Sequence, residues 1–202
     1  MDEQGLVNEA VKGDLDAFNR LVLAYQDMAF NLAYRMLDDD NAAEDATQKA
    51  FIAAYQGLKS YRGGSFRAWV LKMVTNACYD ELRRRKRHPT TPLEPATDDD
   101  EAVESPRWLA DDGPSPEESA ERAELEAVIK HCLSDLPEDF RAIVVLIDVE
   151  GLDYEQAAAI TRHPLGTIKS RLARARLRLR KCLDGYWELL PSVVRLNHEG
   201  AA

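Results

Sequence analysis

Residues 154–183, YEQAAAITRHPLGTIKSRLARARLRLRKCL, constrain the fold more than any other part of the chain. Laid on a helix at about 100° per residue, Leu165, Ile168, Leu172, Ala175, Leu179 and Leu183 form one stripe. Thr167, Ser170, Arg171, Arg174, Arg178 and Lys181 form a second stripe, roughly 120° away. Upstream, the Ala157-Ala158-Ala159 run allows a neighbouring helix to approach closely. Arg162-His163-Pro164 interrupts the pattern, because proline suits the first turn of a helix and not its interior. The spacing predicts a helix-turn-helix whose second helix enters a major groove. Eight bases against one acid oppose the alternative of an ordinary amphipathic surface helix, which mixes charge signs.

A net charge of −10 and a pI near 4.9 argue against a nucleic-acid partner only if the charge is spread evenly. It is not. Residues 94–121 hold eleven acids and one base, Arg107, so this one stretch carries −10 and the remainder is near neutral with basic clusters. The same region, 87–119, contains six prolines and few large apolar residues. Such a segment buries too little surface to offset the entropy of ordering, and it reads as a flexible acidic linker. Trp108-Leu109 is a possible docking anchor within it.

No run of about 18 apolar residues is present, so no membrane insertion is expected. The opening MDEQGLVNEA has neither the basic region nor the apolar core of a signal peptide. Cys78, Cys132 and Cys182 are odd in number and widely spaced, which fits reduced thiols in a cytoplasmic protein. Adjacent His131 and Cys132 do not have metal-ligand spacing, so no zinc site and no cofactor are expected.

Both flanking parts read as helical. Periodicity predicts helices at 6–12, 16–37, 41–58 and 65–87, with Asp16 and Asn41 as N-caps of the second and third. After the linker, helices are expected at 118–132 and 137–149. The β-branched run AIVVLIDV could suggest a strand, but a lone strand among helices has no partner. The fold class is therefore all-α, two small helical domains joined by the linker. The 65–87 helix should bury Phe66, Trp69, Val70, Met73 and Ala77 and expose Lys72, Thr75, Asn76, Tyr79, Arg83 and Lys86. Bases, an amide and an aromatic on one face suit single-stranded DNA. The Arg83-Arg84-Arg85-Lys86-Arg87 run exceeds what compensation of the helix dipole requires.

AAEDATQKAF (42–51), FRAWVLKMVTNACYDELRRR (66–85), LSDLPEDFRAIVVL (133–146) and YEQAAAITRHPLGTIKSRLARAR (154–176), in that order, resemble the extracytoplasmic-function (group IV) sigma factors of the sigma-70 family. The resemblance spans nearly everything except the linker and the tail after Asp184, and it departs from the family pattern at Lys49 and in the linker's acidity. It implies a region 2 domain at 1–87, a linker at 88–118, a region 4 domain at 119–184 and a C-terminal tail at 185–202. It also implies core RNA polymerase (largest-subunit clamp helices and flap), promoter DNA and an anti-sigma factor as partners. Residue by residue, it places Glu44, Asp45, Gln48 and Phe51 on core polymerase. Arg62, Lys72, Asn76, Tyr79, Arg83 and Arg84 fall on the −10 element, with Asn76 holding a flipped base. Thr167, Lys169, Ser170, Arg171, Arg174 and Arg178 fall on the −35 element. Side-chain chemistry agrees: arginine can pair bidentately with guanine, and Arg176, Arg178 and Arg180 suit phosphates.

The chain has no paired catalytic constellation and no glycine-rich phosphate loop, so it reads as a non-enzymatic initiation factor with no small-molecule substrate. A stand-alone helix-turn-helix regulator remains the alternative. It accounts for the second half and leaves the pattern of the first half unused.

Overall fold

A computed structural model describes residues 2–87 and 116–189. The linker between them, with its Trp108-Leu109 pair, and the tail beyond 189 lie outside the described residues. Among these residues eight α-helices run in the order α1 Glu3–Val11, α2 Leu15–Leu37, α3 Asp40–Gly57, α4 Phe66–Arg87, α5 Pro116–Ser134, α6 Glu138–Val144, α7 Tyr154–Thr161 and α8 Leu165–Leu183. Among the described residues there is no strand.

The caps of α2 and α3 sit earlier than the sequence suggests. Asp14 accepts from the Asp16 and Ala17 amides, and Asp39 from the Ala42 amide, so Asp16 and Asn41 lie inside the first turns. Asp38 supplies the left-handed C-cap of α2 at φ 54°. Three successive aspartates thus close one helix and open the next.

α1 to α4 share one core, built on Leu21, Leu32, Met36, Phe66, Leu71 and Val74. The buried face of α4 differs from the expected one. Leu71, Val74, Thr75, Cys78 and Leu82 are buried, whereas Trp69, Met73 and Ala77 are only partly covered. Thr75, expected on the solvent side, is fully buried and donates its hydroxyl to the Leu71 carbonyl at 2.7 Å. The stripe is rotated because α4 is packed on two sides: α2 and α3 lie on one, and the second half of the chain on the other.

The AIVVLIDV run is helical. α6 widens into a π-helical turn at Val145–Val149, where the Glu150 amide reaches the Val145 carbonyl. Residues 142–146 are apolar on every face because they are buried on every face. Ala142, Val145 and Leu146 join the core of the first half, together with Leu152 and Ile160. Ile143 and Val144 face a second core containing Ala157, Ile168, Leu172 and Ala175. The two halves are therefore docked on each other. Polar contacts add to the seam: Arg67 binds the Glu150 carboxylate at 2.8 Å and its carbonyl at 2.6 Å. Lys86 meets Glu138 at 2.7 Å, and Lys130 reaches both Asp38 and the Tyr34 hydroxyl.

The expectation of three reduced thiols fails for two of them. Cys132 on α5 and Cys182 on α8 form a disulfide, with 5.7 Å between Cα atoms and 50 residues of chain between them. The packing of α5 against α8 creates that proximity, and linear spacing carries no trace of it. Cys78 is free and buried, and burial pushes its thiol up to about 12.

Candidate nucleic-acid interface

Local sequence builds the helix-turn-helix. Asp153 and Gln156 form a reciprocal capping box at the start of α7. Arg162 closes α7 in the left-handed region at φ 57°, and Pro164 immediately precedes α8. Ile168, Leu172 and Ala175 seat α8 on its neighbours as the apolar stripe predicts. Its other face presents Lys169, Ser170, Arg174 and Arg178 exposed, with Thr167 half-buried.

Several of these side chains already have partners. The Lys169 ammonium lies over the Tyr154 ring at 5.8 Å, and the Arg178 guanidinium over Phe140 at 5.3 Å. Ser170 donates to the Thr167 carbonyl at 3.1 Å. Arg171 is turned inward: one guanidinium nitrogen lies 2.7 Å from both the Asp139 carboxylate and the His163 Nε2. Arg176, a candidate phosphate contact, is held by Asp148 through two hydrogen bonds.

The −10 candidates divide in the same way. Arg62 is exposed in the loop before α4, next to Gly63 and Gly64, whose φ values of 88° and 94° favour glycine. Lys72 is half-buried. Asn76 shares a concavity between α3 and α4 with Met73, Asp80 and Arg84. Arg83 is exposed and pairs with Asp80 at 2.7 Å. Arg84 grips Glu81 through two hydrogen bonds, and Arg85 bridges Glu81, Asp39 and the Leu37 carbonyl. Those two arginines hold Glu81 down to about 2, the Arg84 hydrogen bond being the largest cause. Part of the basic run is therefore a clamp that ties α4 to the end of α2.

Tyr79 faces α6. Its hydroxyl is buried, and burial, reinforced by the negative charge of Asp139, raises its pKa; Asp139 is not in good hydrogen-bonding geometry. Asp139 thus stands between the α4 face and the α8 face. Linear spacing missed it, because its proximity to Tyr79 exists only once the halves dock, and missed Phe140, because Phe140 meets Arg178 only through the packing of α6 on α8. Arg141, the last residue of LPEDFR, had a signal in the sequence. It is half-buried, binds the Ser134 and Leu136 carbonyls that end α5, and reaches the Met36 carbonyl of α2 at 2.9 Å.

On the opposite side of the first half, Glu44, Gln48 and Phe51 of α3 line a groove of about 290 Å³ with Val22, Gln26, Asp27 and Phe30 of α2. Asp45 is exposed one position away and pairs with Lys49 at 3.7 Å. Leu23, Ile52 and Tyr55 are exposed nearby on the same two helices. A surface of exposed apolar side chains rimmed by acids and an amide is suited to another helical protein.

Fold and surfaces together define a two-lobed helical protein with a helix-turn-helix that carries a basic face and a separate groove between α2 and α3. Residues 21–88 match the Sigma-70 region 2 family and residues 126–179 match Sigma-70, region 4. The RNA polymerase sigma-H factor of Pseudomonas aeruginosa is 37% identical over 183 residues, covering 90% of this chain and 94% of that one. The ECF RNA polymerase sigma-E factor of Escherichia coli is 35% identical over 181 residues, covering 87% and 91%. The sigma factor RpoE of Bartonella quintana, solved in complex with the anti-sigma factor NepR, superposes with a TM-score of 0.62 at 26% identity, covering 84% of this chain and 98% of that one. CnrH, solved in complex with the cytosolic domain of CnrY, shares the fold with a TM-score of 0.64 at 23% identity, covering 91% and 97%. The chain belongs to the sigma-70 family and is a transcription initiation factor that directs RNA polymerase to promoters.

Proposed function

We propose that this factor is a group IV, extracytoplasmic-function sigma factor acting in the cytoplasm with core RNA polymerase. Residues 1–87 serve as region 2, 119–184 as region 4, and 88–118 as the tether. Glu44, Asp45, Gln48 and Phe51 meet the polymerase clamp helices. Asn76, with Arg62, Lys72, Tyr79, Arg83 and Arg84, takes the −10 element. Thr167, Lys169, Ser170, Arg171, Arg174 and Arg178 take the −35 element.

The observation that carries this reading is the exposed groove between α2 and α3, because its apolar floor and acidic rim suit a protein partner for the first half. A stand-alone regulator has no use for it. The docked arrangement adds a second element: with Tyr79 covered by α6, reading of the −10 element requires the halves to part, and Arg171 must in addition leave Asp139 within its own half. A docked, DNA-incompetent form is what an anti-sigma factor would hold, and the similarity to RpoE in complex with NepR supports such a partner.

Run-off transcription with purified core polymerase, using the DNA upstream of the chain's own coding region as template, tests the proposal. Initiation dependent on both proteins is expected, with no promoter affinity for the factor alone. Tight binding of the isolated chain as a dimer to promoter DNA would establish the regulator instead.

A further inference from the structure

Where the end of α5 meets the end of α8, His131, Asp135 and Cys182 place a ring nitrogen, a carboxylate oxygen and a sulfur within 4.8 Å of one another. His131 and Asp135 are four residues apart on one face at the end of α5, their Nε2 and Oδ2 atoms separated by 3.8 Å. Cys182 arrives from α8, bonded to Cys132, and the Tyr186 ring stands edge-on to His131 at 6.2 Å. In a tetrahedral zinc site with metal–ligand distances of ~2.0–2.3 Å, the ligand atoms lie ~3.3–3.8 Å apart. The corner is near that size.

Against the sequence expectation of no zinc site, we propose that the reduced chain binds one divalent cation of the zinc class through His131, Asp135 and Cys182, with Cys132 joining as the fourth donor once its bond to Cys182 opens, and that the Cys132–Cys182 disulfide is the oxidised, metal-free state of the same site. Thiolate and imidazole donors favour zinc over calcium or magnesium. Cys132 is buried while His131 and Asp135 are exposed, so an ion enters from the solvent side and meets the sulfurs last. Binding converts two thiols to thiolates and releases two protons. Oxidation by a peroxide balances as two thiolates, one hydrogen peroxide and two protons giving the disulfide and two waters. The thiolates lose two electrons, the O–O bond breaks, and the cation leaves because its sulfur donors are gone. Either state fastens α5 to the end of α8. Cys182 lies roughly 18 Å along the helix from Ser170, so the ion leaves the amino-terminal part of the DNA face open, with Arg178 one turn from the site. The proposal uses the cytoplasmic reading only to say which state is resident, since thiols there are kept reduced.

The test is cobalt(II) titration of the full chain after phosphine reduction, followed by displacement with zinc. A thiolate-to-cobalt charge-transfer band saturating at one ion per chain is expected, absent in Cys182→Ser. His131→Ala, an exposed change that leaves the fold intact, should weaken binding by at least the ~10-fold that even an outer hydrogen-bond partner costs at a metal site. Hydrogen peroxide should release zinc to a chromophoric chelator as the two thiols disappear. No band in the folded, reduced chain, or unchanged affinity in the His131→Ala/Asp135→Asn double variant, would overturn the site and leave a disulfide alone. The readout is metal binding, so it stands or falls separately from promoter-directed transcription.

Discussion

Arg171 shows how much a single residue's surroundings alter a reading made from its helix position. Its place on the polar stripe of α8 was legible from the sequence, but Asp139 and His163, which hold it, come from 32 and 8 residues away through packing. A base contact by Arg171 must therefore displace Asp139. Arg171→Ala should cost about 1–3 kcal/mol at its cognate base position and relax preference there, whereas Arg178→Ala should weaken all −35 sequences alike. Asp139→Asn should strengthen binding by releasing Arg171. A panel of promoter variants separates these outcomes, and identical sequence-independent losses for both arginine variants would sink the assignment. Glu81 is the opposite case, an acid whose role is structural. Its carboxyl falls from 4.5 to about 2 in the folded chain. A depressed pKa contributes stability that is complete above about 4.5 and is lost as pH falls toward 2. Glu81→Gln should therefore unfold at lower denaturant than wild type at neutral pH, and the gap should close through that acidic window. A gap that is constant with pH would place the effect in packing.

Helix existence and most boundaries could be read from periodicity and punctuation, because α1, α2, α3 and α8 each bury one face. α4 and α6 could not be read so simply, since both are covered from two sides and a single-stripe template misplaces Thr75 and suggests a strand at AIVVLIDV. The caps fell at Asp14 and Asp39 because in each aspartate cluster only the residue before the first turn can direct its carboxylate at the free amides. α3 carries the element-scale prediction. Asp45 is exposed, and its ion-pair partner among the described residues is Lys49, an interaction of little energetic weight. Asp45→Arg should thus abolish binding to core polymerase in a pull-down while circular dichroism shows unchanged helical content. Lost helicity would make Asp45 structural, and undiminished polymerase binding would remove it from the interface.

The docking of the two halves was not legible at all, because the contacts between them span the linker and depend on three-dimensional fit. One polar contact between them is Arg67 with the buried Glu150, whose burial raises the carboxyl pKa against the opposing charge of Arg67. Arg67→Ala leaves that buried acid unpaired and should weaken docking by about 1–3 kcal/mol. Small-angle scattering should then show a larger radius of gyration, and an unchanged radius would mean that the apolar seam suffices. The acidic stretch at 94–121 bears on the same equilibrium by charge alone. It lies largely outside the described residues, but its −10 is fixed by sequence, and it joins two lobes that each present bases. Tethered so, its effective concentration at either surface could reach about millimolar. We propose that it competes with DNA for those surfaces in the free factor and is displaced when polymerase channels accept it. A solubilising spacer is the opposing account, and the two diverge on neutralisation. Replacing Asp98, Asp99, Asp100, Glu101 and Glu104 with their amides should raise the non-specific DNA affinity of the free protein. The gain should be largest at low salt, where charge is least screened, and should shrink as salt rises. Filter binding across a salt series measures it directly, and superimposable curves for the two proteins would leave the stretch as a spacer.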